Sequence, residues 1–263
     1  MPLTRLMKIR TEQQDQLLII KLNRPEVFNS LDLEMSHDLI KVLHDAEADD
    51  NIRAVLLTAE GKAFCAGQDL QEVISEDFIG IERTVAEHYN EIVNGIRKLS
   101  KPVVAAVNGV AAGAGANIAL VCDVVVAHES ATFVQAFSKI GLIPDSGGTF
   151  TLPRLIGWQK ASALMLLGDK VSANEAERLG MIYQVLSAKE FETGSLKIAS
   201  KLAHKPTKAL AYTKHLLSQS MSNNFDQQLE HEKIYQARSA NTADYKEGID
   251  AFLAKRKPNF IGK

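Results

Sequence analysis

Residues 103–127 read VVAAVNGVAAGAGANIALVCDVVVA and carry most of the information about the fold. The run is apolar, but two asparagines, one aspartate and three glycines divide it, whereas a membrane-spanning helix needs about 20 mostly apolar residues. Short apolar runs bounded by glycine and polar residues are typical of buried strands and tight turns. We therefore predict a buried strand over 103–107, a glycine-rich turn, a buried helix and a second strand over 124–127.

The same alternation extends towards the N-terminus. Apolar runs over 17–22 (LLIIKL) and 54–58 (AVLLT) predict two more buried strands. Between them, apolar residues recur at steps of three and four after Asp32, which predicts a helix, and 78–99 predicts a longer helix. Strands that alternate with helices to about residue 190 indicate an α/β fold with largely parallel, buried strands.

The character of the sequence changes after residue 190. We expect two parts, a core over 1–190 and a helical oligomerisation region over 191–263. The second part contains four successive helical patterns, over 191–203, 206–220, 225–238 and 242–254.

Composition excludes several classes of protein. The chain has 263 residues, with 30 basic and 32 acidic side chains and a net charge of −2, which argues against nucleic-acid binding and against a polybasic membrane anchor. Two cysteines and seven histidines without i, i+4 pairing predict neither a disulfide framework nor a metal site. The N-terminus lacks the pattern of a signal peptide. We expect a reduced, cytoplasmic protein.

Three glycine-containing segments could carry chemistry: 64–70 (FCAGQDL), 108–117 (NGVAAGAGAN) and 141–149 (GLIPDSGGT). The first two follow predicted strands, where backbone N–H groups can point at an anion or a polarised oxygen. Each turn alone is equally consistent with tight chain reversal and close helix packing. Two such turns together with an acid in the third favour a functional site.

The order and spacing of these segments resemble the crotonase superfamily, the enoyl-CoA hydratase/isomerases, over essentially the whole chain. The resemblance implies repeated ββα units wound into a spiral, followed by a helical trimerisation region. It also implies an acyl-CoA thioester as substrate and no metal or redox cofactor, because coenzyme A is part of the substrate. The matching residues are Asn23-Arg24-Pro25, 64–67, 106–109 with the Gly113 turn, Pro144, 147–149 and Leu152-Pro153-Arg154.

By motif position, the family's oxyanion hole falls on the backbone N–H groups of Gln68 and Ala114. Removing a proton beside a thioester places negative charge on its carbonyl oxygen. Two fixed donors in a dry site stabilise that enolate. Only the backbone amide of Gln68 is needed for this role.

Hydratases of the family use two glutamates to position and activate water, and this sequence departs from them at both places. The first position is Asn117 and the second is Phe137, which leaves Asp145 as the candidate catalytic acid. In an apolar pocket flanked by Phe137 and Ile143, its carboxyl should have a raised pKa. It could then take a proton from one position of the substrate and return it at another. The alternative is that Asp145 caps the helix that follows.

Residues 136–149 and 251–263 resemble family members that isomerise acyl-CoA thioesters in phenylacetate degradation. The resemblance implies conversion of ring-1,2-epoxyphenylacetyl-CoA to oxepin-CoA, movement of a double bond from 3-enoyl- to 2-enoyl-CoA, or both. Two alternatives stay open, a 2-enoyl-CoA hydratase of fatty-acid oxidation and a non-catalytic crotonase-fold partner.

Family positions also imply how the substrate is held. The CoA and substrate contacts would come from the first part of the chain and from the helical tail, where Lys255 offers a point charge to phosphate. An ordinary basic tail is the alternative for Lys255. A homotrimer or a dimer of trimers is implied. The implied contacts are Arg24, Val27, Ala66, Asp69, Leu70, Phe137, Phe252 and Lys255.

Overall fold

A six-stranded sheet forms the centre of the computed structural model, which describes residues 8–263. Its first pair, β1 and β2, is antiparallel, and all later pairs are parallel. The predicted strands over 17–22, 54–58, 103–107 and 124–127 all lie in this sheet. In spatial order the strands are β1 (Ile9–Gln14), β2 (Leu17–Leu22), β3 (Ala54–Ala59), β5 (Val103–Val107), β7 (Val124–His128) and β10 (Gln184–Leu186).

A second, four-stranded sheet consists of β4 (Ala63–Cys65), β6 (Val110–Ala112), β8 (Thr132–Val134) and β9 (Lys170–Ser172). The strands β4, β6 and β8 are parallel and each follows directly on a strand of the large sheet. The chain therefore winds as repeated pairs of strands with helices between them, as the resemblance implied. The sequence did not predict these strands, because three residues are too few to show a period of two.

Helices separate the strand pairs. Asp32 begins α1 by accepting a hydrogen bond from Met35 N, as expected of an N-cap aspartate. The helix predicted over 78–99 begins instead at Ile81 and contains a π-helical turn, Val85–Tyr89. The helices of this half are α1 (Leu33–Ala48), α2 (Leu70–Val73), α3 (Ile81–Thr84), α4 (Asn90–Lys98) and α5 (Ala114–Leu120).

The central strands of the large sheet are buried on both faces, which explains their continuous apolar sequences, whereas the edge strand β1 is mostly exposed. In β2, Leu18 and Ile20 face the main core, whereas Leu17 and Ile19 face a second cluster that includes Ala199 of the helical tail. The first tail helix therefore covers one face of the central sheet. The remaining helices are α6 (Gly148–Ile156), α7 (Trp158–Leu167), α8 (Ala173–Arg178), α9 (Phe191–Ala203), α10 (Thr207–Gln219), α11 (Phe225–Ala240) and α12 (Ala243–Leu253).

Buried polar contacts anchor the tail to the core. Arg53, 3% exposed, donates hydrogen bonds to Thr207 Oγ1 and to the Phe260 carbonyl oxygen, both at 2.8 Å. Within the tail, the buried Asp244 accepts from the amides of Ile261 and Gly262 at 2.7 and 2.8 Å and holds the C-terminal segment against α12. Among residues 8–263, no helix is both long and apolar enough to cross a bilayer.

Candidate active site

Three turns that are distant in sequence meet at one edge of the small sheet. The strands β4, β6 and β8 run parallel, so their carboxyl ends lie side by side, the usual position of sites in parallel sheets. The turns that follow them begin after Cys65, Ala112 and Val134. The amide of Gly113 donates to the Val134 carbonyl at 2.9 Å and ties two of the turns together.

The two proposed oxyanion turns touch each other. Gly67 has φ of +93°, and a Cβ at this position would lie 3.0 Å from the Ala112 carbonyl oxygen and 3.4 Å from the Ala114 nitrogen. A Cβ at Gly115 would lie 2.3 Å from the Cys65 carbonyl oxygen. Glycine is therefore required at both positions for the backbones to approach.

The amides of Gln68 and Ala114 are available to a ligand. Ala114 is the first residue of α5, so its N–H has no acceptor within the helix. The flanking backbone groups, Gly67 C=O and Asp69 N–H, bond to Leu31 at 2.7 and 2.9 Å, whereas the Gln68 N–H donates no hydrogen bond within the part of the chain that the structure describes. Two such donors at one edge suit a negatively charged oxygen.

Asp145 lies in the turn that precedes α6. Burial raises the pKa of its carboxyl to about 6, although the Ser146 hydroxyl, which donates to Oδ1 at 3.0 Å, acts in the opposite direction. The N-cap interpretation is wrong, because α6 begins after Gly147 and no side chain caps it. Phe137 is buried, but Ile143 is 80% exposed, so the expectation that both side chains flank the carboxyl in an apolar pocket is wrong for Ile143.

The two family glutamate positions hold no acid. Asn117 is 1% exposed on α5 and its Nδ2 donates to the carbonyl oxygen of Asp145 at 2.9 Å. Phe137 packs beside the oxyanion turn, with its Cζ 3.7 Å from where a Cβ of Gly113 would lie. Asp145 thus has neither of the carboxylate partners that a hydratase would supply.

Tyr89 was not predicted as a site residue. Its side chain is 1% exposed and its hydroxyl has no hydrogen-bond partner among the described residues. Burial raises the pKa of its phenol, and the nearby Asp145 carboxylate raises it further. The residue ends the π-helical turn, a feature that frequently marks functional sites and that hydrophobic periodicity does not indicate.

Arg24 and Asp69, two of the implied CoA contacts, bond to each other. Arg24 Nη2 donates to Asp69 Oδ2 at 2.8 Å, and Nη1 donates to the Ser30 carbonyl at 2.7 Å. The Asp69 carboxylate also accepts from Gln71 N at 2.9 Å, at the start of α2. These side chains hold the loop after β2 against the first oxyanion turn and neutralise each other.

The other implied contacts divide into two groups. Val27, Ala66 and Leu70 lie on or beside the same loop and turn, and Ala66 and Leu70 are exposed. Phe252 and Lys255 lie at the end of the helical tail, where Phe252 is 83% exposed. Within residues 8–263, no hydrogen bond or ion pair joins these two residues to the oxyanion turns.

Comparisons with known proteins agree with this fold. The sequence model of the enoyl-CoA hydratase/isomerase family matches residues 12–263. The chain is 46% identical over 251 residues to the 1,2-epoxyphenylacetyl-CoA isomerase of Escherichia coli K12, covering 94% of this chain and 95% of that protein. It is 43% identical over 255 residues to a Rhodobacter capsulatus protein described as a probable enoyl-CoA hydratase, covering 97% and 98%.

A solved structure of an enoyl-CoA hydratase also has this fold. An enoyl-CoA hydratase from a Polaromonas species matches with a TM-score of 0.89 and 38% identity, over 96% of this chain and 99% of that one. The two-sheet spiral with its helical tail is the crotonase fold, and the protein is an enzyme of that superfamily. The chain belongs to the enoyl-CoA hydratase/isomerase family.

Proposed function

We propose that this protein is an acyl-CoA isomerase in which Asp145 is the only acid/base. The observation that carries the proposal is a partly buried carboxyl with a pKa raised to about 6, in a site whose two hydratase glutamate positions hold Asn117 and Phe137. The amides of Gln68 and Ala114 hold the thioester oxygen. Such a site can move a proton but lacks the second carboxylate that activates water.

For a linear 3-enoyl-CoA, Asp145 takes a proton from carbon 2. The electron pair moves on to the thioester oxygen, and the two amides stabilise the resulting dienolate, one donor of this kind being worth roughly 3–4 kcal/mol. The protonated Asp145 then returns the proton at carbon 4, which yields 2-enoyl-CoA with no net change in composition. A carboxyl with a pKa near neutral can both accept and return a proton.

For a ring-1,2-epoxyphenylacetyl-CoA, the same groups would guide ring opening and expansion to oxepin-CoA. This reaction also conserves composition and so needs no second reactant. The identity to the Escherichia coli 1,2-epoxyphenylacetyl-CoA isomerase supports this substrate and a place in phenylacetate degradation. Two free, buried cysteines agree with a cytoplasmic enzyme.

Hydration of 2-enoyl-CoA is the second candidate, and it rests on the similarity to the Rhodobacter capsulatus protein. It requires an acid at position 117 or 137, and the chain has none there. A non-catalytic partner is less consistent still, because it would have no need for two free amides beside a carboxyl with a raised pKa.

The tail would complete the enzyme as an oligomer. Large apolar side chains of α11 and α12 are exposed in one chain, which is typical of surfaces that bind another protein. We infer a homotrimer or a dimer of trimers, in which Phe252 and Lys255 close over the nucleotide of the acyl-CoA. Both are exposed, Phe252 in the last turn of α12 and Lys255 two residues after the helix ends.

A substrate panel tests the proposal. The purified protein is given ring-epoxide, linear 3-enoyl and linear 2-enoyl thioesters of CoA in deuterated water, and the products are analysed by mass spectrometry. We expect isomerisation of at least one of the first two, detected as a product of the same composition, and deuterium at carbon 4 of the 2-enoyl product would show that the proton on Asp145 exchanges with solvent during transfer. Hydration of the 2-enoyl thioester as the main reaction would contradict the isomerase, and the absence of any product and of any exchange would indicate a non-catalytic partner.

A further inference from the structure

A chain of amide hydrogen bonds leads from β8 to the catalytic turn. Gln135 Nε2 donates to Asn117 Oδ1 at 2.8 Å, and Asn117 Nδ2 donates to the carbonyl oxygen of Asp145 at 2.9 Å. Gln135 and Asn117 are 3% and 1% exposed. The Asn117 amide has both its oxygen and its nitrogen engaged, which holds it in one orientation, whereas Gln135 Oε1 has no hydrogen-bond partner among the described residues.

Asn117 is the main support of the turn from outside. Among the described residues, it makes the only side-chain hydrogen bond to the backbone of 141–147. The Asp145 carbonyl accepts a second bond, from Gly148 N at 2.8 Å, which belongs to the turn itself. A Cβ at Gly148 would lie 2.3 Å from Asn117 Nδ2, so the start of α6 is packed directly on this amide.

The chemistry of an amide suits this place. The Asp145 carbonyl can accept a second hydrogen bond besides that from Gly148 N, and an amide NH₂ can donate it whereas an ionised carboxylate cannot. Gln135 determines which way the amide of Asn117 points. Its side-chain N–H donates to Asn117 Oδ1, which leaves Asn117 Nδ2 facing Asp145. The glutamate of a hydratase at this position would bring an acceptor against the carbonyl oxygen.

We propose that Asn117, oriented by Gln135, is a positioning residue that holds the Asp145 turn where its carboxylate can reach the substrate. The proposal rests on the catalytic role proposed for Asp145. A misplacement of about 1 Å can reduce a rate by about 100-fold, so loss of this support should reduce turnover although neither amide touches the reacting atoms. The position that carries an acid in hydratases is thus used here as a support.

Asn117→Asp tests the proposal, because it keeps the shape and replaces the donor with an acceptor. We expect kcat on the best substrate of the panel to fall at least about tenfold, with KM changed less than about twofold. Asn241→Asp is the matched control. It loses an amide-to-carbonyl bond of the same kind, from Nδ2 to the Ala237 carbonyl at 3.0 Å at the end of α11, away from the site, and should keep kcat within about twofold of the wild type.

A double-mutant cycle separates positioning from stability. In an Asp145→Asn background, Asn117→Asp should reduce residual turnover no further, while its effect on the free energy of unfolding should be the same in both backgrounds. Gln135→Met, which removes the orienting donor at similar length, should lower kcat in the same way. An equal loss of kcat in both backgrounds, an unchanged kcat, or failure of both single variants to fold would overturn the positioning role. Normal turnover by Asp145→Asn would instead overturn the proposed function.

Discussion

At the scale of single residues, the burial that suits the Asp145 carboxyl to its proposed catalytic role also lowers the stability of the folded protein. Burial raises its pKa from 3.8 to about 6, so the folded protein binds this proton more tightly than the unfolded chain does. The resulting decrease in the free energy of unfolding is therefore absent below pH 4, where the folded and unfolded states are both protonated. It is complete above pH 6, where it amounts to at most about 3 kcal/mol.

Asp145→Asn should consequently be as stable as the wild type or more stable at pH 8. The neutral amide removes the buried charge and keeps a similar shape. Urea unfolding between pH 4 and pH 8 measures the difference in the free energy of unfolding, which should grow from pH 4 to about pH 6 and stay constant above it. A variant that is less stable than the wild type at pH 8 but not at pH 4 would show that the ionised carboxylate stabilises the fold.

Local sequence identified Asp145 but could not decide its role. The N-cap alternative failed because Ser146 and Gly147 both adopt positive φ, 51° and 73°, and the helix begins only after them. The burial of Tyr89 near Asp145 could not be foreseen, because it depends on how the π-helical turn packs. The same packing leaves its hydroxyl without a hydrogen-bond partner among the described residues. The link from Gln135 through Asn117 joins separate elements, and no spacing in the sequence reveals it.

At the scale of elements, the proposed oxyanion hole depends on close contact between the turns after β4 and β6. The resemblance predicted where both turns lie in the sequence. They meet in the structure because they follow neighbouring strands among the three short parallel strands of the small sheet. Long apolar strands were predicted correctly, whereas strands of three residues and the interruption of the 78–99 helix were not. A period of two or 3.6 cannot be detected in so few residues.

Gly67→Ala tests this contact. The added Cβ would lie 3.0 Å from the Ala112 carbonyl oxygen, so the turns must separate and one amide should lose its alignment. We expect kcat to fall about 100-fold or more, as for loss of one oxyanion donor. Gly80→Ala is the control, since it has a similar φ of +90° but no atom within 4 Å of its added Cβ. Equal losses of kcat in the two variants would show that backbone strain alone is responsible.

At the scale of the whole molecule, the helical tail serves both the core and the surface. The helix α9 covers Leu17, Ile19 and Leu56 of the large sheet, while α11 and α12 expose large apolar side chains to solvent. The sequence predicted four tail helices, and all four are present with slightly different ends. It could not predict that α9 packs against the large sheet, because that depends on which face of the sheet the other helices leave uncovered.

We expect a sedimentation mass that is a multiple of three chains of 28.8 kDa. Truncation after Ser187 should give aggregated or unfolded protein, because it removes α9 and exposes one face of the sheet. Sedimentation equilibrium and circular dichroism check both expectations. A soluble, active monomer from the truncated chain would contradict this account of the tail.

The most direct test of the central claim is the turnover of Asp145→Asn on the best thioester of the substrate panel. Its amide keeps the shape of the carboxyl but cannot accept a proton, so we predict that kcat falls at least about 100-fold, while the affinity for the thioester stays unchanged. In the wild type, kcat should decrease as the pH falls through about 6, where the carboxylate takes up its proton. Near-normal isomerisation by Asp145→Asn would contradict the account, because another group would then have to move the proton.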